Sequence, residues 1–153
     1  MLFRSWSIGT SVLNKRIMWK KHLVFLIEET DGEKFGYYLN MEVIEEYGKW
    51  IQTDKKTFHF NLESNGRLKQ PMKFEIKDLK WGGIYLGRKS DEYLILLGDI
   101  CLRKENNKSK SHCYQSENWF DYHGIQNALC GKQPDKYGDM YFTPQRILVI
   151  QMN

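Results

Sequence analysis

The sequence lacks the features that mark secreted, disulfide-bonded and membrane-spanning proteins. Its 153 residues include three cysteines, an odd number without tight spacing, which argues against a disulfide framework and for a reducing compartment. The N-terminal stretch MLFRSWSIG has no apolar run of signal-peptide length. The longest apolar runs, Leu23–Ile27 and Tyr93–Leu97, are far too short to cross a bilayer. We therefore expect a soluble, cytoplasmic protein that does not insert into membranes.

Sequence motifs for common catalytic chemistries are also absent. Gly82, Gly83 and Gly98 do not make a phosphate loop, because no helix carrying Lys-Ser/Thr follows them. Asp121 and His123 are residue types of a catalytic triad, but no nucleophile context accompanies them, and an Asx turn in a loop explains them better. We therefore predict no catalytic residue, no bound cofactor and no enzymatic activity.

Two histidines and two cysteines are candidates for metal binding or for thiol chemistry. His112, Cys113, His123 and Cys130 are residue types that bind zinc, but the spacing lacks any Cys-x-x-Cys pair. His112 and Cys113 are strand neighbours that point to opposite faces, so they do not pair as base and nucleophile. We predict no structural metal and no disulfide, with Cys113 and Cys130 as buried apolar residues. A redox-active or enzymatic protein that uses one of these cysteines is the alternative.

The overall composition is that of a globular protein with a mild positive charge. The chain is 41% hydrophobic and 14% aromatic, with a net charge of +4 and a sequence pI near 8.9. The basic stretch Lys104–Lys110, near Tyr114 and Trp119, could touch an acidic partner or a nucleic acid. Glu105 dilutes this charge, and an exposed, mobile loop is the simpler interpretation. Nucleic-acid binding is therefore not the expected function.

The stretch Lys55–Lys80 carries a marked apolar-polar alternation in two predicted strands, which are joined by a turn at Ser64-Asn65-Gly66. The positions predicted to face the core are Phe58, Phe60, Leu62, Met72, Phe74 and Ile76. In the folded protein we predict one shared core formed by Phe58, Phe60 and Phe74 with Phe25, Ile95 and Val149. This stretch accounts for folding, and it contains no obvious catalytic group.

The remaining pattern predicts further short strands with few helices. These strands are His22–Glu28, Lys34–Leu39, Ile84–Leu86, Tyr93–Leu97, Ile100–Arg103, His112–Tyr114 and Arg146–Met152. Asp31-Gly32 is a hairpin signal, and a loop of these two residues would place Ile27 opposite Gly36 and Glu29 opposite Lys34. Short helices are predicted within the ranges Ser5–Lys20 and Asn40–Tyr47. The fold class is therefore mainly β with a few short helices (α+β), arranged as a two-sheet antiparallel β-sandwich.

The order of several motifs resembles that of a TLDc domain, the module of oxidation-resistance proteins. The matching segments are LVFLIEETDGEKFGYYLN with Phe35-Gly36, Phe58-His59-Phe60, YLILLG at Tyr93–Gly98, Ile100-Cys101-Leu102, Ser111-His112-Cys113, Ala128-Leu129 and the last strand, RILVIQM. The resemblance spans roughly His22 to Met152. The glycine triplet of the family is reduced to Gly98, and the glutamate usual in its last strand is absent, so the chain resembles a divergent, short member.

The resemblance implies that residues 1–153 form a single TLDc-like domain with a β-sandwich fold. It also implies a link to oxidative-stress protection and, as in several members, binding to the proton-pumping vacuolar ATPase. No catalytic residue set is agreed for the family, so none is transferred to this chain. We expect a non-enzymatic protein-interaction module whose partner is another protein, with a vacuolar ATPase subunit as the specific candidate.

Overall fold

The structure is a computed structural model that describes residues 2–3, 10–44 and 47–153. Its strands are β1 Leu2–Phe3, β2 Leu23–Glu29, β3 Lys34–Leu39, β4 Trp50–Ile51, β5 Phe58–Glu63, β6 Met72–Glu75, β7 Ile84–Leu86, β8 Tyr93–Leu97, β9 Ile100–Arg103, β10 Ser111–Cys113, β11 Met140–Phe142 and β12 Pro144–Gln151. The helices are α1, Thr10–Ile17, and a 3₁₀ helix, Glu105–Lys110. Neither helix of the described chain has the length and apolar character needed to span a membrane.

Two antiparallel sheets make up the β-sandwich that the sequence predicts. The first sheet, here called sheet A, has the order β1-β12-β2-β3-β5-β6, and the second, sheet B, has the order β11-β10-β9-β8-β7-β4. The apolar strands β2 and β12 lie inside sheet A rather than at its edges. Apolar residues between the two sheets form the core, which includes Phe25, Ile95 and Val149 as predicted.

The first hairpin has a different register from the predicted one. Ile27 pairs with Phe35 instead of Gly36, because the loop has three residues rather than two. The Glu29 N–H donates to the Glu33 carbonyl at 2.9 Å, and Gly32 at the end of the loop has a φ of +94°. A three-residue hairpin loop requires a left-handed residue at this place, which glycine provides without steric cost. The Asp-Gly signal therefore locates the turn correctly but not its length.

The inward and outward faces of β5 are the reverse of the predicted ones. His59 and Asn61 are fully buried in the interior, whereas Leu62 is 48% exposed and Phe58 is partly exposed. Phe60 is only 7% exposed, but it lies on the outer face, where it lines a shallow apolar groove. The opposite strand β6 has the predicted phase, with Phe74 buried and cross-strand from His59.

Hydrogen bonds explain how polar side chains can occupy the inner face of β5. The Asn61 Nδ2 group donates to the Leu129 carbonyl at 2.8 Å, and both ring nitrogens of His59 have partners. Buried polar groups with such partners avoid most of the desolvation cost. On the outer face, Phe60 covers the Cα of Gly36, where an added Cβ would lie 2.7 Å from the Phe60 ring. A period of two shows that one face is apolar, but it does not show which face meets the other sheet.

Three local predictions also need correction. Residues 40–44 and Tyr47 are not helical, and the remainder of the predicted Asn40–Tyr47 helix, residues 45–46, lies outside the described residues. The segment predicted as a mobile loop forms the 3₁₀ helix Glu105–Lys110. The short strands β4 and β11 were not predicted, because two or three residues are too few to show an alternation.

Candidate functional site

A groove on the outer face of sheet B is lined mainly by aromatic side chains. We call it the tryptophan groove, and its volume is about 380 Å³. It is lined by Trp50, Trp81, Tyr93, Leu96, Gly98, Cys101, Tyr114 and Trp119. Three sheet strands, β4, β8 and β9, contribute to its wall, and the two turn regions that carry Trp81 and Trp119 close it on one side. It is therefore built from segments that are far apart in the sequence.

The three indole rings of the groove contact one another in different orientations. The centroids of Trp81 and Trp119 lie 6.4 Å apart, with the planes 21° from parallel. Trp50 meets Trp81 edge to face at 6.0 Å, and it also packs against Tyr85 at 5.8 Å. Aromatic pairs at these separations stabilise one another, and these contacts hold the three rings in fixed positions. Trp81 nevertheless remains 39% exposed.

The groove offers hydrogen-bond donors that the described chain does not use. Within the described residues, no hydrogen bond involves the indole N–H of Trp50, Trp81 or Trp119, nor the hydroxyl of Tyr93. The Tyr114 hydroxyl lies 3.0 Å from His112 Nε2 and is thus engaged. The lining residues include no carboxylate, carboxamide or cationic side chain. The groove is therefore apolar, rich in free donors and poor in side-chain acceptors.

Two backbone turns position the tryptophans that are not on strands. The Asp78 carboxylate accepts the N–H of Lys80 at 2.9 Å and that of Trp81 at 3.0 Å, which fixes the first turn. The Trp119 carbonyl accepts the N–H of Lys77 at 2.7 Å, which ties the second segment to the first. These bonds set the distance between the two indole rings.

Asp99, which is fully buried, anchors the segment that carries Tyr114 and Trp119. Its carbonyl accepts the N–H of Tyr114 at 2.8 Å, and its Oδ2 atom accepts the N–H of Ser116 at 3.0 Å. The Ser116 carbonyl in turn accepts the Trp119 N–H at 2.9 Å. Oδ2 also lies 2.6 Å from the Tyr122 hydroxyl, whereas Oδ1 is buried without a partner in the described residues. Asp99 thus connects one wall of the groove to the core.

The hydrogen bonds from Asp99 into the core show which of its protonation states the fold favours. His59 Nε2 lies 2.8 Å from the Leu97 carbonyl, which only accepts, so Nε2 carries the proton. Burial lowers the pKa of His59 to about 3, so the ring is neutral and Nδ1, 3.0 Å from the Tyr122 hydroxyl, is an acceptor. The single hydroxyl proton can satisfy either His59 or an ionised Asp99. Both bonds form only when Asp99 is protonated, and burial raises its pKa to about 7.

The structure places the predicted thiol candidates together but deep inside the protein. Cys113 and Cys130 are both fully buried, as predicted, and the Cys130 thiol donates to the Met140 carbonyl at 3.6 Å. Burial raises the pKa of Cys113 well above its ordinary value, and burial raises the pKa of Cys101, in the groove floor, to about 12. A reactive cysteine needs the opposite shift and access to solvent.

The predicted histidine candidates do not join these cysteines. His112 lies on the outer face of sheet B, cross-strand from Cys101, whereas its neighbour Cys113 points inward. His123 is exposed, and its N–H donates to Asp121 Oδ1 at 2.9 Å, which is the predicted Asx turn. In the described part of the chain, no three His, Cys, Asp or Glu residues are arranged to hold a metal ion. The absence of a structural metal stays a prediction.

Two cations at the start of the basic region that could have contacted nucleic acid are engaged within the protein. Lys104 turns back and donates to the carbonyls of Arg88 and Lys89, at 3.2 and 2.8 Å. Arg103 pairs with Glu92 at 2.7 Å. Cations that are engaged in this way are less available to phosphate groups.

Comparison with known proteins gives no family for this chain. No family model matches the sequence, and no curated protein matches it. The structure defines the class of the protein, a mainly β chain folded as a two-sheet antiparallel sandwich. The resemblance to TLDc domains stays a prediction.

Proposed function

We propose that this chain is a non-enzymatic protein-interaction module that binds its partner in the tryptophan groove. The observation that carries the proposal is the group of three tryptophans around one concave surface, whose indole N–H groups have no hydrogen-bond partner among the described residues. Tryptophan and tyrosine are the residues most enriched at the energetic centres of protein interfaces. Aromatic surface left open to water is unfavourable unless a partner covers it.

The buried thiols favour this proposal over the redox alternative. Cys101, Cys113 and Cys130 are each at most 1% exposed. A thiol nucleophile must be partly accessible and ionised, and the raised pKa of Cys113 and of Cys101 opposes ionisation. An interaction module requires none of these properties.

The resemblance to TLDc domains extends the proposal to a specific partner and setting. It suggests a subunit of the proton-pumping vacuolar ATPase as the partner and oxidative-stress protection as the process. The motif order of the sequence supports this extension, and the groove geometry is independent of it. The two parts of the proposal can therefore be tested separately.

Affinity capture from the protein's own cells tests the interaction module. We expect wild-type protein to retain specific partners, Trp81→Ala to lose them, and the control Trp19→Ala to keep them. Trp19 is suitable because it is 67% exposed and does not line the groove. Immunoblotting the captured material for vacuolar ATPase subunits tests the specific partner.

Two results would overturn the proposal. Equal retention of every partner by wild-type protein and Trp81→Ala would show that the groove is not the binding surface. Peroxide consumption by the purified protein that disappears in Cys113→Ser or Cys130→Ser, together with an empty capture, would favour the redox alternative. Folding of each variant is checked by its thermal melting curve, so that loss of binding is not confused with unfolding.

A further inference from the structure

We propose that the tryptophan groove takes a proline-rich segment in the polyproline II conformation, an inference that rests on the proposed function above. The hydrogen-bonding character of the groove is the starting point. Three indole N–H groups and the Tyr93 hydroxyl have no partner within the described residues, and no lining side chain is a strong acceptor. A fitting ligand must therefore present acceptors and apolar surface while requiring few acceptors in return.

Proline-rich segments have this combination of groups. Proline lacks a backbone N–H, so it needs no acceptor from the groove. The polyproline II helix has no internal hydrogen bonds, so all its carbonyl oxygens are free to accept. Its pyrrolidine rings are apolar and fit between flat aromatic side chains, and the helix is already ordered before binding, which lowers the entropy cost. An ordinary extended peptide carries one N–H per residue, and the lining side chains offer acceptors only at the tyrosine hydroxyls.

The same chemistry disfavours the two other ligands that bind to aromatic surfaces. A carbohydrate presents hydroxyl donors that need carboxylate or carboxamide acceptors, and the lining side chains provide none. A single-stranded nucleic acid would stack on the rings but needs cations along its phosphates. Arg103 lies 4.1 Å from the Tyr93 ring centroid and also pairs with Glu92, and the Lys80 ammonium lies 4.7 Å from the Trp81 ring centroid. One lysine beside the groove supplies much less positive charge than a row of phosphates requires.

The ring arrangement matches a ligand that is apolar on more than one side. Trp81 and Trp119 are 21° from parallel, whereas Trp50 is turned 79° from Trp81, so the groove presents faces in two directions. A threefold helix projects its rings in successive directions along its axis, and it can contact both kinds of face. Each indole N–H lies in the plane of its ring, so a ligand carbonyl would reach it from the ring edge while a pyrrolidine ring contacts the face.

Titration with a nine-residue oligoproline peptide, followed by tryptophan fluorescence and by calorimetry, tests the inference. A glycine-serine peptide of equal length, an oligosaccharide and an oligothymidylate serve as competing ligand classes. We expect saturable binding of oligoproline only. Trp81→Ala should weaken it by about 10-fold or more, because an aromatic wall is lost. Trp19→Ala should leave the affinity unchanged.

Tyr93→Phe separates hydrogen bonding from simple apolar contact. This variant keeps the ring and removes one free donor, so oligoproline affinity should fall by about 3- to 10-fold. It also keeps the test valid if Trp81→Ala does not fold. No saturable oligoproline binding, equal binding by wild type and both groove variants, or preference for the sugar or the oligonucleotide would overturn the inference. If cellular partners still depend on Trp81 in that case, only the proline-rich ligand class is wrong and the interaction module stands.

Discussion

Replacing Asp99 with asparagine should change how the stability of the protein depends on pH. Burial raises the pKa of Asp99 from 3.8 to about 7, so the folded protein holds a proton there that the unfolded chain releases above pH 4. A carboxyl with a raised pKa stabilises the fold below its unfolded pKa, and this stability is lost as pH rises through the folded pKa. Asparagine cannot ionise, so Asp99→Asn should not show this loss.

The size of the effect follows from the width of the pH interval between the unfolded and the folded pKa of Asp99, 3.8 and about 7. One proton contributes a slope of about 1.4 kcal/mol per pH unit, so Asp99 should cost wild-type protein roughly 3 kcal/mol between pH 4.5 and 7. His59 acts in the opposite direction, because its pKa is lowered to about 3 and the unfolded chain binds its proton below pH 6.5. Glu29, whose pKa burial raises to about 7, adds a slope of the same sign as Asp99. The pH dependence of wild-type stability is therefore the sum of three slopes, and it does not by itself give the contribution of Asp99.

Urea unfolding of both proteins at pH 4.5, 5.5, 6.5 and 7.5 isolates the contribution of Asp99. The slope of Glu29 is common to both proteins and cancels in the difference between their free energies of unfolding. His59 shares the Tyr122 hydroxyl with Asp99, and its slope cancels as far as burial, the main cause of its low pKa, is the same in both proteins. Asp99→Asn also carries a loss of stability that does not depend on pH. In wild-type protein the single atom Oδ2 faces both the Ser116 N–H and the Tyr122 hydroxyl, and neither the oxygen nor the NH₂ group of an amide can replace a protonated carboxyl oxygen in both contacts. We expect the variant to gain roughly 3 kcal/mol relative to wild type as pH rises. A difference that stays constant across this range would refute the protonated Asp99.

Three further predictions concern β5 and its neighbours and the thiols. Phe74→Ala should lower the free energy of unfolding by ~3–5 kcal/mol in urea melts, and Phe60→Ala should lower it by only ~2 kcal/mol, since Phe60 faces outward and leaves no sealed cavity. Equal losses would contradict the observed phase of β5. Gly36→Ala should lower the melting temperature, at a cost of ~1–3 kcal/mol or more, because the new Cβ would lie 1.9 Å from the Phe25 carbonyl oxygen; an unchanged melting temperature would exclude this close approach. Cys113 should react with a thiol reagent only when urea unfolds the protein, and rapid labelling of the native state would show that it is accessible.

Much of the strand pattern could be predicted because its signals are local. Lys34–Leu39, Tyr93–Leu97 and Ile100–Arg103 are observed with the predicted bounds, since turn residues delimit each strand. Gly98-Asp99 forms a two-residue turn between Leu97 and Ile100, with residue types typical of hairpin turns. These features depend on backbone preferences of a few adjacent residues.

Features that depend on distant partners were predicted less well. The phase of β5 was wrong because burial of His59 depends on Tyr122 and on the Leu97 carbonyl, neither of which is near it in the sequence. Hydrophobicity alone places phenylalanines inside and polar residues outside. The same alternation fits a strand turned the other way if its polar residues have buried hydrogen-bond partners and its phenylalanines pack in a groove on the outer face.

The tryptophan groove could not be predicted for a related reason. Trp50 is on a two-residue edge strand, Trp81 is in a turn and Trp119 is in an irregular segment, so no sequence period connects them. The available signal was that Trp81 directly precedes Gly82-Gly83, since a tryptophan in a glycine turn has little chance of reaching the core. Pairing of Tyr85 on β7 with Trp50 on β4 brings the first ring to that turn, and the Lys77–Trp119 hydrogen bond brings the third. The groove thus follows from sheet order and loop anchoring, which is why the buried Asp99 determines the position of one of its walls.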